Sequence, residues 1–262
     1  MGKKTVVFGS FVVDLMGRTP HLPAAGETVK GTVFKMGPGG KGFNQGVAAH
    51  KAGADVTMVT KLGRDTFADI ALNTMKELGM KQDRILYSDD TETGCALIMV
   101  DENTSQNEIV VILGSCNTIS DAEVDSLEDL LDGCEYMLTQ LETNVSSVER
   151  IVDIACKKGV KVILNTAPVQ PISDELLSKV DLITPNEVEA EILTGVKVDS
   201  EEAADKAADW FFGKGVKRVL ITLGGRGVYI NTGDKKGIIP AYKVNAIDTT
   251  GAGDAFNGGL LA

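Results

Sequence analysis

Short runs of β-branched and other apolar residues, each followed by a segment with helical periodicity, recur along most of this 262-residue chain, and that alternation permits few folds. Residues 4–9 read as a buried parallel strand. Residues 41–51 suit a helix closed by Gly53, and residues 56–60 a second strand. Phe67, Ile70, Ala71, Met75 and Leu78 then fall at helical spacing before Gly79. Ser120 and Glu123 form a capping-box pattern that predicts a helix to about Leu131. After it the rhythm repeats, with strands at 136–141, 160–165, 181–184 and 218–223 and helices at 146–158, 174–179, after Pro185, and at 201–213. Such a series folds as a mainly parallel sheet with helices on both faces.

Two stretches fit no crossover helix. Residues 10–36 hold strand-like pieces broken by Pro20, Pro23 and Gly26. Residues 94–100 and 107–113 are apolar runs joined by the polar turn 101–106, which reads as a hairpin. Together they predict a small second sheet, a lid drawn from about 10–36 and 91–113, on one main domain spanning 1–262. With 43% hydrophobic residues, the chain can fill one large core.

A net charge of −11 argues against nucleic acid or an anionic membrane as partner, because both demand a basic face. No segment reads as a transmembrane span, and Asp14 interrupts the apolar run that follows Lys3 and Lys4, so a first strand is a better reading there than a signal peptide. Cys95, Cys116, Cys134 and Cys156 show no paired spacing, and with only His21 and His50 there is no zinc set. They read as reduced, mostly buried thiols of a cytoplasmic protein.

The chemistry concentrates in two glycine-rich motifs. After an alternating, strand-like run at 242–247 comes Asp248-Thr249-Thr250-Gly251-Ala252-Gly253-Asp254, followed by Phe256, Gly258 and Gly259. The small residues Gly251, Ala252 and Gly253 let a helix begin with bare N–H groups, which makes an anion site. A carboxylate in that first turn is a poor phosphate ligand, so Asp254 suits the role of proton acceptor for a hydroxyl attacking a bound phosphoryl group. An ordinary acid at a helix N-terminus is the competing reading. The second motif is Gly37-Pro38-Gly39-Gly40-Lys41-Gly42-Phe43-Asn44-Gln45-Gly46. Its GxGxxG spacing is misplaced for a dinucleotide fold, which wants an acidic residue where this chain has Lys61, and Gly42 after Lys41 rules out a P-loop. Asn186 and Glu189 lie three apart, on one helical face at the end of a strand.

Both motifs, in this order, resemble the signatures of the ribokinase-like (PfkB) family of sugar kinases, and the resemblance runs from about residue 4 to the end. It implies a three-layer α/β/α sandwich with a mainly parallel central sheet and a β-sheet lid, and ATP-dependent phosphorylation of the primary hydroxyl of a pentose or similar sugar. It also implies roles. Asp254 would be the base, with the amides of Gly251, Ala252 and Gly253 holding the transferred phosphate. Asp14, Gly40, Lys41, Asn44 and Glu142 would contact the sugar. Asn186 and Glu189 would organise phosphate, Mg2+ and water; Thr222, Gly224 and Gly227 would receive ATP; and Asp248 with Thr250 would belong to a K+ site. Many members dimerise through the lid, so a homodimer is expected.

Two departures qualify these expectations. Ribose-phosphorylating members carry Asn where this chain has Val12, and deoxyribose-phosphorylating ones carry an apolar residue near that point. The sequence also stops at Ala262, whereas members continue through helices that complete the adenine pocket, so the domain is expected to be C-terminally incomplete and impaired. The alternatives are a kinase of another small sugar or a nucleoside, a truncated binding relic without catalysis, and a nicotinamide oxidoreductase.

Overall fold

The computed structural model describes residues 4–246 and 249–262. Its central sheet has eight strands in the order β14-β13-β12-β11-β10-β9-β1-β4. These are β1 (Lys4–Phe8), β4 (Asp55–Val59), β9 (Tyr136–Thr139), β10 (Lys161–Leu164), β11 (Leu182–Ile183), β12 (Val219–Thr222), β13 (Val228–Asn231) and β14 (Lys236–Ile239). The first six are mutually parallel, and β13 and β14 add an antiparallel edge.

Alternation along the strands feeds two cores. Phe8, Met137, Val162 and Ile221 pack with α4 (Val145–Lys157) and α7 (Glu201–Gly213) on one face. Val7, Leu138, Ile163 and Leu220 share the opposite core with residues of α1 (Lys41–Lys51), α2 (Thr66–Leu78) and α8 (Ala252–Leu261). The short helices α3 (Asp121–Asp125) and α5 (Asp174–Ser178) and the helix α6 (Glu187–Thr194) lie between these elements in the chain. The architecture is therefore the three-layer α/β/α sandwich.

A separate four-stranded sheet runs in the order β3-β2-β7-β8, from β2 (Val12–Thr19), β3 (Val33–Gly39), β7 (Thr93–Asp101) and β8 (Asn107–Gly114). A two-stranded ribbon, β5 (Lys61–Leu62) with β6 (Leu86–Tyr87), falls between β3 and β7 in the chain.

Several local expectations need correction. The capping box of Ser120 and Glu123 is formed, but the helix it opens ends at Asp125, and residues Glu128–Leu131 form a separate 3-10 turn. The apolar Leu127, Leu130 and Leu131 are buried in that irregular arrangement. The alternating run at 242–247 is no strand in its described part, residues 242–246: the chain leaves the sheet after its edge strand β14, and Tyr242 and Val244 stand 95% and 79% exposed. Of the cysteines only Cys116 is fully buried; Cys95 and Cys134 are half-buried and Cys156 is exposed. Among the described residues no helix is long and apolar enough to cross a membrane.

Candidate active site

In an open parallel sheet, ligands settle beyond the carboxyl ends of the strands, where the strand order reverses. Here the reversal falls at β1, which has β4 on one side and β9 on the other. The residues just past these strand ends meet. Ser10 donates its hydroxyl to Glu142 Oε2 at 2.6 Å, and the same oxygen accepts the Lys41 backbone N–H at 2.7 Å. Glu142 thus caps the start of α1, whose N-terminal dipole favours a carboxylate. The glycines before and inside this helix are sterically required. A Cβ on Gly40, whose φ is +90°, would lie 2.8 Å from the Phe11 Cα, and one on Gly42 would lie 2.5 Å from the Gly9 carbonyl carbon.

Asp254 reaches the same place from the other end of the chain. It sits in the first turn of α8, and α8 packs against α1 at Gly258, one turn later. That contact sets Asp254 beside α1: Asn44 Nδ2 donates to its Oδ2 at 3.1 Å, and Gln45 Nε2 to its Oδ1 at 2.9 Å. Gly251 takes the left-handed conformation (φ +72°) that opens the helix, and no side chain caps it. Of the three small residues, Ala252 already donates its N–H to the Thr249 carbonyl at 3.1 Å, so an anion at this helix end finds one amide of the set engaged.

Asp14 lies on β2, where pairing with β3 and β7 is unbroken from Val12 to Arg18. Val13 and Leu15 turn into the core beneath, so Val12 and Asp14 share the other face. Burial, reinforced by the nearby Glu142 and Asp254 charges, pushes the Asp14 carboxyl above its ordinary range. Asp14, Glu142 and Asp254 are thus near enough for their charges to act on one another, a set of acceptors suited to a polyhydroxy ligand.

Asn186 and Glu189 are also brought together, in a form the spacing did not foresee. Asn186 is the residue capping α6 rather than a member of it: its Oδ1 accepts the Glu189 N–H at 2.8 Å, and Glu189 Oε2 accepts the Asn186 N–H at 3.0 Å. Thr166 adds a hydroxyl to Glu189 Oε2 at 3.0 Å. The pair forms a reciprocal capping box facing the site.

Two cavities adjoin at the start of α8. The smaller, about 200 Å3, is lined by Lys41, Asn165, Asn186, Glu189, Gly251 and Asp254 among others. The larger, about 670 Å3, runs between Thr222, Gly224, Gly227, Val228, Ile239, Tyr242 and Phe256. Asn186, Thr222, Ala252 and Gly253 line both. At Gly227 (φ +109°) a Cβ would run into the Ile239 carbonyl oxygen, so the turn that shapes the larger groove requires glycine. A third cavity of about 470 Å3, lined by Thr5, Tyr136 and Arg218, lies by the opposite strand ends and touches none of these residues. Thr250 stands exposed in the turn before α8, and Asp248 lies outside the described residues.

Sequence reasoning missed the buried polar residues that hold this geometry. Gln45, Asn165 and Asn257 are 0%, 6% and 2% exposed, and Thr184 Oγ1 donates to Asn257 Oδ1 at 2.6 Å while Asn257 Nδ2 donates to the Gly253 carbonyl at 2.9 Å. The available signal was an amide at positions whose periodicity points inward.

The profile of pfkB family carbohydrate kinases matches residues 3–262. The chain belongs to that family. This kinase is 43% identical to the ribokinase of Haemophilus influenzae, over 100% of its own length and 85% of that protein's. It is 38% identical to the deoxyribokinase of Salmonella typhi, over 96% and 82%. Its fold matches that of Arabidopsis thaliana ribokinase, solved with ribose and ATP, at a TM-score of 0.89 and 28% identity, covering 98% of this kinase and 84% of that chain.

Proposed function

We propose that this ATP-dependent sugar kinase binds a pentose against β2, the start of α1 and Glu142, binds ATP in the larger groove, and joins them at Asp254. The sugar's primary 5-hydroxyl loses its proton to Asp254. Its oxygen forms a bond to the γ-phosphorus as the bond from that phosphorus to the β–γ bridging oxygen breaks, and ADP leaves with that electron pair. One observation carries the reading: Asp254 lines the smaller cavity in the same helix turn whose Ala252 and Gly253 line both cavities, so backbone dipoles of that turn would face the developing negative charge. Asp14, Gly40, Lys41, Asn44 and Glu142 hold the sugar, while Asn186, Thr222, Gly224 and Gly227 hold the nucleotide.

Among the described residues no cluster of acidic, histidine or cysteine side chains fits a bare metal ion. The donor set instead suits Mg2+ carried by ATP: Glu189 would help hold it through water, and the ion would supply neutralisation of charge on the transferring phosphoryl group. A K+ ion near Thr250 belongs to the same proposal, as does residence in the cytoplasm, which keeps the four free cysteines reduced. So does a lid-to-lid homodimer, supported by Phe34, Met36, Val110 and Ile112, which are 68%, 54%, 58% and 49% exposed on the small sheet.

The test is ADP release with Mg2+ and K+ over a panel of ribose, 2-deoxyribose, fructose and nucleosides. Pentose-dependent release is expected in the parent, and Asp254→Asn is expected to lower kcat by about 10²–10⁴-fold while leaving sugar binding in place. Turnover of Asp254→Asn near the parent rate would show that Asp254 is a structural acid.

A further inference from the structure

We infer that Gln45 is the positioning residue of the catalytic carboxylate, the middle link of a one-directional chain of amides that orients Asp254; this rests on Asp254 being the base. Gln45 is completely buried in α1. Its Nε2 donates to Asp254 Oδ1 at 2.9 Å and to Asn165 Oδ1 at 3.0 Å, and its Oε1 accepts from Gln140 Nε2 at 2.7 Å.

The direction of every bond in this chain follows from the charge at its end. An ionised carboxylate only accepts, so Gln45 must turn its NH2 toward Asp254 and its carbonyl toward Gln140. Gln140 must then present its own NH2, which leaves Gln140 Oε1 buried beside Gly9 with no hydrogen-bond partner among the described residues. Asn165 accepts from Gln45 and so directs its Nδ2 to the Thr184 carbonyl at 2.9 Å. Packing alone gives no reason to turn Gln140 Oε1 away from every donor among the described residues. Orienting the NH2 of Gln45 toward the base supplies one.

The chain also divides the labour of the two carboxylate oxygens. Oδ1 is held from behind by a side chain with no exposure. Oδ2 faces Asn44, a half-buried residue assigned to the sugar, at 3.1 Å. A sugar hydroxyl that takes the place of Asn44 meets Oδ2 while Gln45 keeps the carboxylate plane from turning. A base held this way is aligned before substrate arrives, and alignment acts on the chemical step rather than on ground-state binding.

The test is a double-mutant cycle of Gln45→Met with Asp254→Asn. Met conserves length and volume and removes the donor. Gln45→Met is expected to lower kcat about tenfold to a hundredfold, with the sugar KM within about twofold of the parent. In the Asp254→Asn background the same substitution is expected to change kcat by less than about twofold, because its effect runs through the carboxylate. An unchanged kcat in Gln45→Met, or an equal loss in both backgrounds, overturns the proposal. A near-parent rate for Asp254→Asn alone overturns the base assignment instead, so the two failures are distinguishable. Should Gln45→Met not fold, Gln140→Met frees Gln45 from behind without touching Asp254: a kcat lowered about threefold to tenfold at unchanged sugar KM supports the chain, and a parent kcat refutes it.

Discussion

Gly258 and Ala48 meet with no room for one more carbon: a Cβ on Gly258 would lie 2.5 Å from the Ala48 Cβ and from the Gln45 carbonyl oxygen. Helices α1 and α8 therefore approach backbone to side chain, and this approach carries Asp254 to within hydrogen-bonding distance of Asn44 and Gln45. The closeness of two helices thus sets the geometry of the proposed base, Asp254, one turn away.

That relationship predicts opposite outcomes at adjacent glycines. Gly258→Ala gains about 1 kcal/mol of helix propensity but incurs overpacking of about 1–3 kcal/mol, so overpacking should win. A fall in Tm of about 2–8 °C is expected, with a lower kcat because Asp254 is pushed off α1. At Gly259 a Cβ meets nothing within 4 Å. Gly259→Ala should raise Tm by about 1–4 °C at parental kcat, the gain from helix propensity alone. Calorimetry on the two variants checks both signs, and a Gly258→Ala protein as stable and active as the parent would sink the account.

Asp14 predicts a pH dependence. Its carboxyl is raised above the ordinary value of 3.8, first by burial and then by Glu142 and Asp254. The folded state therefore binds this proton more tightly than the unfolded chain does. Stability associated with Asp14 rises as pH falls through the raised folded value, and above that value the charged form is a cost to the fold. Asp14→Asn removes the cost, so the ligand-free variant should melt higher than the parent at about pH 7, and the difference should shrink as the pH approaches 4. The same variant should bind sugar more weakly. A lower melting temperature across the whole range would refute the destabilised carboxylate.

The lid predicts an oligomer. On the face of the small sheet that carries Val13 and Leu15, strand register also places Phe34, Met36, Leu97, Val110 and Ile112, all substantially exposed. An apolar sheet face of this kind seeks a cover, and a second copy is the one proposed. Light scattering is expected to give a dimer for the parent and a monomer for the pair Val110→Glu with Ile112→Glu. A monomeric parent at high concentration would remove the dimer.

The fold was readable wherever the information was local. Helix 201–213 and helix 41–51 have the bounds their periodicity predicts, because both present a continuous apolar stripe between clear stop signals. Pairing was readable in the hairpin of residues 94–100 and 107–113, but at the edge of the central sheet the reading failed. The alternation at 242–246 is as regular as a strand's, yet it finds no neighbour, while Lys236–Ile239, which lacks such alternation, pairs with β13. At the site, Asp254 carried recognisable chemistry in a glycine-rich context, while Lys41 and Glu142 were picked out through the family resemblance. Gln45, Gln140, Asn165 and Asn257 stood out in neither way, since an amide at an inward position acquires meaning only from partners far along the chain.

Val12 carries the last prediction. The sequence left open whether it faces the sugar, because residues 12 and 14 share a face only on a regular strand. Strand β2 is regular there, with Val12 paired to Gly39 on β3 and to Gly94 on β7. Val12 is therefore flanked by two residues without side chains, on the face that carries Asp14, and is 3% exposed. A valine in that row offers a sugar 2-hydroxyl no hydrogen bond, so the parent should use 2-deoxyribose at least as well as ribose. Val12→Asn places an amide between two residues without side chains, and on the proposed pose the sugar's 2-hydroxyl is its partner. One restored hydrogen bond contributes about 0.5–1.5 kcal/mol, so the ratio of kcat/KM for ribose over 2-deoxyribose should rise several-fold, up to about tenfold. Competition kinetics on the two pentoses measures that ratio directly. A parent that strongly prefers ribose, or a ratio unmoved by Val12→Asn, would make Val12 a packing residue and leave discrimination at C2 to other groups.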